Sequence, residues 1–133
     1  MEKCLFCNIV KGEIPSYLID ENEEFMAFLD LFPVKEGQTL IIPKIHIGSS
    51  FSEVPDELLS STIKYAKKIS KMLEDRLDSE RIFIVIQGLG VDHFHIKLYP
   101  YQSGESEDLS TTPPDSPKPG EVLEALRSKI LNR

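Results

Sequence analysis

A chain of 133 residues is long enough to bury one core, and 41% hydrophobic with 28% charged residues is an ordinary globular composition. Its 15 Lys and Arg against 22 Asp and Glu leave a net charge of −7 with no basic run, which argues against duplex nucleic acid as a partner but leaves room for a small nucleotide in a local pocket. No apolar run approaches the roughly 20 residues that span a bilayer, and Met1-Glu2-Lys3-Cys4 opens no signal-like core. The expectation is one domain over residues 1–133, away from membranes and in the cytoplasm, where thiols stay reduced.

The pair Cys4-x-x-Cys7 comes first along the chain. With thiols reduced it reads as metal ligands or a redox pair rather than a staple. β-Branched and aromatic content and alternation predict strands over residues 16–20, 24–30 and 38–43, the first two joined through Asn22 as a hairpin. A long helix is expected from Pro55 to about Leu77, with Leu58, Leu59, Ile63, Ala66, Ile69, Met72 and Leu73 at helical spacing. Its Lys64, Lys67, Lys68 and Lys71 read as a solvated face. Two more strands follow at 82–87 and 92–99. Residues 102–120 are rich in Ser, Thr, Glu and Pro, with Pro113, Pro114, Pro117 and Pro119 barring a long helix or a central strand. This stretch should hug the surface near the end of the preceding strand, and a short helix over 121–131 closes the chain. The pattern is α+β with an antiparallel sheet.

The segment Val91-Asp92-His93-Phe94-His95-Ile96-Lys97-Leu98 carries the strongest chemical signal. In an extended chain His93, His95 and Lys97 share one side, about 7 Å apart, and Phe94, Ile96 and Leu98 share the other. Two imidazoles and an ammonium in a row suit an anion or a metal. Two of the chain's three histidines fall here, which favours function over a chance polar sheet face.

This run resembles the histidine-triad (HIT) family motif His-φ-His-φ-His-φ-φ, φ being apolar, with Lys97 at the place of the third histidine. The stretch from Cys4 through Gly12-Glu13-Ile14-Pro15 is similar to the opening of bacterial members. So are Ala27-Phe28-Leu29-Asp30 and Gly37-Gln38-Thr39-Leu40-Ile41-Ile42-Pro43-Lys44-Ile45-His46. The resemblance implies a five-stranded antiparallel meander with one long and one short C-terminal helix, its sheet extended across a homodimer. It implies a structural zinc ion held by Cys4, Cys7, His46 and His93, two thiolates and two imidazoles forming a closed tetrahedral set. His95 matches the family's nucleophile toward the α-phosphorus of a nucleotide derivative, through a nucleotidyl-histidine. Asp30 matches the position that bonds ribose hydroxyls, a turn residue before Phe32-Pro33 being the other reading. Leu5, Phe6, Ile9, Phe28 and Leu31 match positions around the base of a purine nucleotide or conjugate.

Departures cluster at the phosphate end. The segment 87–91 is shorter than usual, with Leu89 and Gly90 where the family carries Gln and Ser. Gly88 and Gly90 are expected to present backbone N–H groups to phosphate, Gln87 to stand in for a missing Asn, and Lys97 to act as a point cation. A tight turn explains Gly-x-Gly equally well. Three readings therefore stand: a nucleotide hydrolase or phosphoramidase acting through His95, a non-catalytic zinc-stabilised nucleotide-binding module, and a domain in which zinc only pins the N-terminus.

Overall fold

The computed structural model describes residues 4–132; Met1–Lys3, on which the N-terminal reading partly rests, and Arg133 lie outside them. After a short helix α1 (Leu5–Val10) come strands β1 (Leu18–Glu21), β2 (Phe25–Leu29) and β3 (Thr39–Pro43). A single 3-10 turn leads into the long helix α2 (Asp56–Leu77), then β4 (Arg81–Val85), β5 (Ile96–Tyr101) and the closing helix α3 (Gly120–Leu131). All pairings are antiparallel, in the order β1-β2-β3-β5-β4. The expected meander thus covers the first three strands. β5 then inserts between β3 and β4, because α2 carries the chain across the sheet and β4 returns along the outer edge.

Local chemistry explains each turn. Asn22 Oδ1 accepts from the Glu24 and Phe25 N–H groups at 2.9 and 2.8 Å, closing the β1–β2 hairpin. α2 carries Asp56 and Glu57 in its first turn, where they complement the helix dipole, and ends at Asp78 in a left-handed conformation. Its buried face is Tyr65, Ala66, Ile69, Leu73 and Leu77; Ile63, placed on that stripe from sequence, is exposed. The four lysines are exposed as expected, two of them paired, Lys68 to Asp20 and Lys71 to Asp75.

β2 and β3 are buried at every position, so the sheet has two apolar faces rather than one. On one, Ala27, Leu29, Ile41, Ile96 and Leu98 pack with Ile69 and Leu73 of α2, and α3 adds Leu123 and Ile130. On the other, Met26, Phe28, Leu40 and Ile42 meet Phe6 and Ile9 of α1. α1 was not foreseen from sequence, because six residues are too few to show a helical period. Residues 102–119 contain no helix or strand and are tied down by Lys35–Glu105 at 3.0 Å and Lys118 N–H to the Leu31 carbonyl at 2.9 Å. No helix among the described residues is long and apolar enough to cross a membrane.

Leu73 is 0% exposed at the centre of the larger core. Leu73→Ala should cost about 2–5 kcal/mol, read as a lowered urea midpoint at unchanged slope.

Candidate metal centre and adjoining cleft

Cys4 is the N-cap of α1, its sulfur accepting from the Cys7 N–H at 3.4 Å. One helical turn brings Cys7 alongside it. Cys4 Sγ lies 3.4 Å from His93 Nδ1, and Cys7 Sγ lies 3.3 Å from His46 Nδ1 and 3.6 Å from His93 Nδ1. All four ligand atoms fall within 4.8 Å of one another. A tetrahedral zinc ion, about 2.3 Å from sulfur and about 2.0–2.1 Å from nitrogen, would set such S and N atoms roughly 3.5 Å apart. The group therefore has the span the ion requires.

The donor chemistry fits as well. His93 Nε2 donates to the Pro43 carbonyl at 2.9 Å, so the Nδ1 facing the sulfurs carries the free lone pair of a neutral ring. Burial holds the His93 pKa below its ordinary value, keeping that ring neutral. Burial likewise pushes the Cys7 thiol up, and the neighbouring Cys4 adds to the shift. A thiol enclosed as Cys7 is without a cation is costly to ionise, and a divalent ion reverses that balance.

His46 reaches this group from the loop after β3, which three contacts bind to the histidine segment. Phe94 N–H donates to the Ile47 carbonyl at 2.8 Å, Ser49 N–H to Asp92 Oδ1 at 3.0 Å, and Ser49 Oγ to the Gly88 carbonyl at 2.8 Å. The Ser49 backbone bond holds the Asp92 carboxyl below its usual range. The roles of Ser49 and Asp92 were missed from sequence, where Asp92 stands in the histidine segment with no part assigned to it.

The strand expected over 92–99 pairs only from Ile96 onward, since residues 92–95 turn to meet the Ile47 loop. Alternation persists through the irregular part. Phe94 enters the α2 core, while the Phe6 ring meets His93 and His95 edge-on at 5.8 and 5.3 Å between centroids. The histidine face is not an open polar surface: α1 covers it, leaving His93 0% and His95 2% exposed. His95 Nδ1 donates to the His93 carbonyl at 2.7 Å, so in the neutral ring Nε2 carries the lone pair. Burial, with the nearby Lys97 cation, holds the His95 pKa below its ordinary value against the opposing backbone bonds to His93 and Leu89.

His95 and Lys97 line a cleft of about 400 Å³. Leu5, Phe6 and Ile9 of α1 form one wall, Phe28 and Leu40 of the sheet its floor, and Asp30 with Leu31 one end. Leu89, Gly90 and Val91 of the glycine segment and Pro113 of the irregular stretch also line it. Leu40, Val91 and Pro113 were not singled out from sequence. Asp30 Oδ1 accepts from the Phe32 N–H at 2.9 Å, as a turn residue would, and Asp30 also lines the cleft. Gln87 and Gly88 do not line it. Gln87 Nε2 donates to Thr111 Oγ1 at 2.9 Å, and Gly88 packs so tightly that an added Cβ would sit 2.5 Å from the Ser49 carbonyl oxygen. These two anchor loops, and of Gly88-Leu89-Gly90 the last two residues line the cleft.

Residues 11–102 match the HIT domain. The chain belongs to the HIT family. Over 96% of its length it is 36% identical to the adenosine 5'-monophosphoramidase of Saccharomyces cerevisiae, 82% of which is covered. The crystal structure of a Hit-like protein involved in cell-cycle regulation from Bartonella henselae matches with a TM-score of 0.84 at 26% identity, over 98% of this chain and 96% of that one. A zinc-bound histidine triad family protein from Mycobacterium smegmatis matches with a TM-score of 0.79 at 27% identity, over 97% and 94%. In this HIT protein, as in the sequence reading, Cys4, Cys7, His46 and His93 are the set that could form the zinc site.

Protein purified without chelator should carry one zinc per chain by elemental analysis. Stripping it should lower the melting temperature, because ion binding contributes directly to the folded state; a metal-free preparation with an unchanged Tm refutes the site.

Proposed function

We propose that this HIT protein is a nucleotide hydrolase or phosphoramidase in which His95 attacks the α-phosphorus of a nucleoside phosphate derivative. The observation that carries the reading is the buried His95 ring, tied through Nδ1 to the His93 carbonyl, beside a cleft that has an apolar wall and one carboxylate. Relatives named adenosine 5'-monophosphoramidase support it, and make a purine nucleotide conjugate the substrate to test.

In this reading the base lies among Phe6, Ile9, Phe28 and Leu31, and Asp30 accepts the ribose hydroxyls. Each Asp30 oxygen already holds one protein donor, and an ionised carboxylate has lone pairs for two more. Nε2 of His95 forms a bond to the α-phosphorus as the bond to the leaving group breaks, and the leaving group departs with a proton taken from solvent, which the later attack of water returns. Water then attacks the same phosphorus, releasing the nucleoside monophosphate and restoring the imidazole. Lys97, within the cleft, offsets phosphate charge, and the Gly90 backbone is the polar group left on the shortened loop. Zinc, when bound by Cys4, Cys7, His46 and His93, supplies structural cross-linking, all four of its positions being filled by protein.

His95→Ala should abolish both turnover of an adenosine phosphoramidate and the nucleotidyl adduct seen by intact-protein mass spectrometry, while zinc content and AMP binding persist. Unchanged turnover in the variant overturns the reading; binding without any adduct in the wild type makes the protein a zinc-stabilised binding module.

The same reading includes an isologous homodimer and a reducing, cytoplasmic setting in which Cys4 and Cys7 stay available to metal. The outer edge of β4 pairs with no strand among the described residues, and Ile84 there is 49% exposed. Light scattering at micromolar concentration should give twice the chain mass, and a monomer contradicts the dimer.

A further inference from the structure

We infer that Gln38 is the positioning residue for Asp30, and through it sets the preference of the cleft for a ribose bearing free hydroxyls. The inference rests on the placement of the nucleotide proposed above.

Gln38 is 2% exposed and does not line the cleft, so any effect it has on a ligand must pass through a neighbour. That neighbour is Asp30. Gln38 Nε2 donates to Asp30 Oδ2 at 2.8 Å, while the Phe32 N–H holds Oδ1 at 2.9 Å. With one donor on each oxygen the carboxylate plane cannot rotate, and the remaining lone pairs are set in direction as well as number. The amide is itself locked. Its Oε1 accepts from the Val34 N–H at 2.6 Å and the Lys35 N–H at 3.3 Å. Flipping the amide would aim its NH₂ at two N–H donors and its oxygen at a carboxylate, so only one orientation satisfies the group.

The backbone of Gln38 closes the same loop. Asp30 N–H donates to the Gln38 carbonyl, and Gln38 N–H to the Lys35 carbonyl, both at 3.0 Å. One buried side chain thus ties the start of β3, the turn after Pro33 and the carboxylate into a single unit. The partner it offers Asp30 is neutral. A Lys or Arg there would neutralise the carboxylate and compete for the lone pairs that two hydroxyls need. An amide holds the group by one donor and leaves it the full negative charge.

Hydrogen bonds to a charged acceptor are worth enough that a misdirected pair loses about tenfold or more in affinity. The test is calorimetric titration of the zinc-loaded protein with adenosine 5'-monophosphate and with 2',3'-dideoxyadenosine 5'-monophosphate. The wild type should prefer the ribonucleotide. Gln38→Met, close in volume, should lose that preference about tenfold while its affinity for the dideoxynucleotide stays the same. Gln38→Glu keeps the acceptor toward Val34 and Lys35 but replaces the donor toward Asp30 with a second carboxyl, and should lose the preference likewise even if the methionine variant folds poorly. Retained ribose preference in a folded variant, or an equal loss for both nucleotides, overturns the inference and leaves the His95 reading standing. A wild type with no ribose preference removes the Asp30 placement and this inference together, and one that binds neither nucleotide removes the nucleotide reading itself.

Discussion

A helix of six residues cannot hold itself together in water, yet α1 walls the cleft, so the site depends on what fastens that helix. Two of the fastenings are the sulfurs of Cys4 and Cys7, at the cap and in the first turn, facing His46 and His93. Between them in sequence, Phe6 meets Phe28 and His95 and shares the His93 ring with the sulfurs. One turn of helix therefore serves two purposes, its sulfur side belonging to the metal set and its aromatic side to the cleft. An ion bound to the first would hold the second in place, which is why the metal set and the cleft read as one construction.

A chain of carbonyl contacts then orients the two imidazoles. The Pro43 carbonyl at the end of β3 takes the Nε2–H of His93, freeing Nδ1 for metal. The His93 carbonyl takes the Nδ1–H of His95, freeing Nε2 for the cleft. Adjacent alternate residues thus present opposite nitrogens to different tasks. Because α1 removes both rings from water, each is pushed toward its neutral form, the state in which a ring nitrogen can act as ligand or nucleophile.

Around this centre the Gly90 side of the cleft is built by loops. Gly88 packs on the Ser49 loop, Gln87 holds Thr111, and Pro113 of the same irregular stretch lines the cleft. The short glycine segment accordingly divides its residues, Gln87 and Gly88 anchoring loops while Leu89, Gly90 and Val91 line the cleft. At the opposite end, Asp30 is gripped by Phe32 and Gln38. The Asp30 carboxylate is braced by hydrogen bonds, whereas Lys97 is, among the described residues, the one cation that lines the cleft.

Much of this was legible along the chain. The alternation of His93, His95 and Lys97 against Phe94, Ile96 and Leu98 survives even where the strand ladder has not begun, because the two-residue period belongs to any extended backbone. The long helix, the irregular stretch and the cysteine spacing are equally local properties of composition and period. Other features were decided only when distant segments met. Helix α1 exists because Cys4 caps it and the sheet buries Phe6 and Ile9. β5 lies beside β3 because α2 spans the sheet before β4 returns at its edge. Gln38 looks like any polar residue at a strand start until Asp30 and the turn after Pro33 close around it. Gly88 and Gly90 are indistinguishable in sequence, and a contact from Ser49, 39 residues away, turns one into an anchor and leaves the other at the cleft. Periodicity and spacing are written into neighbouring residues, whereas which face is covered, and by what, depends on contacts between residues far apart in the chain.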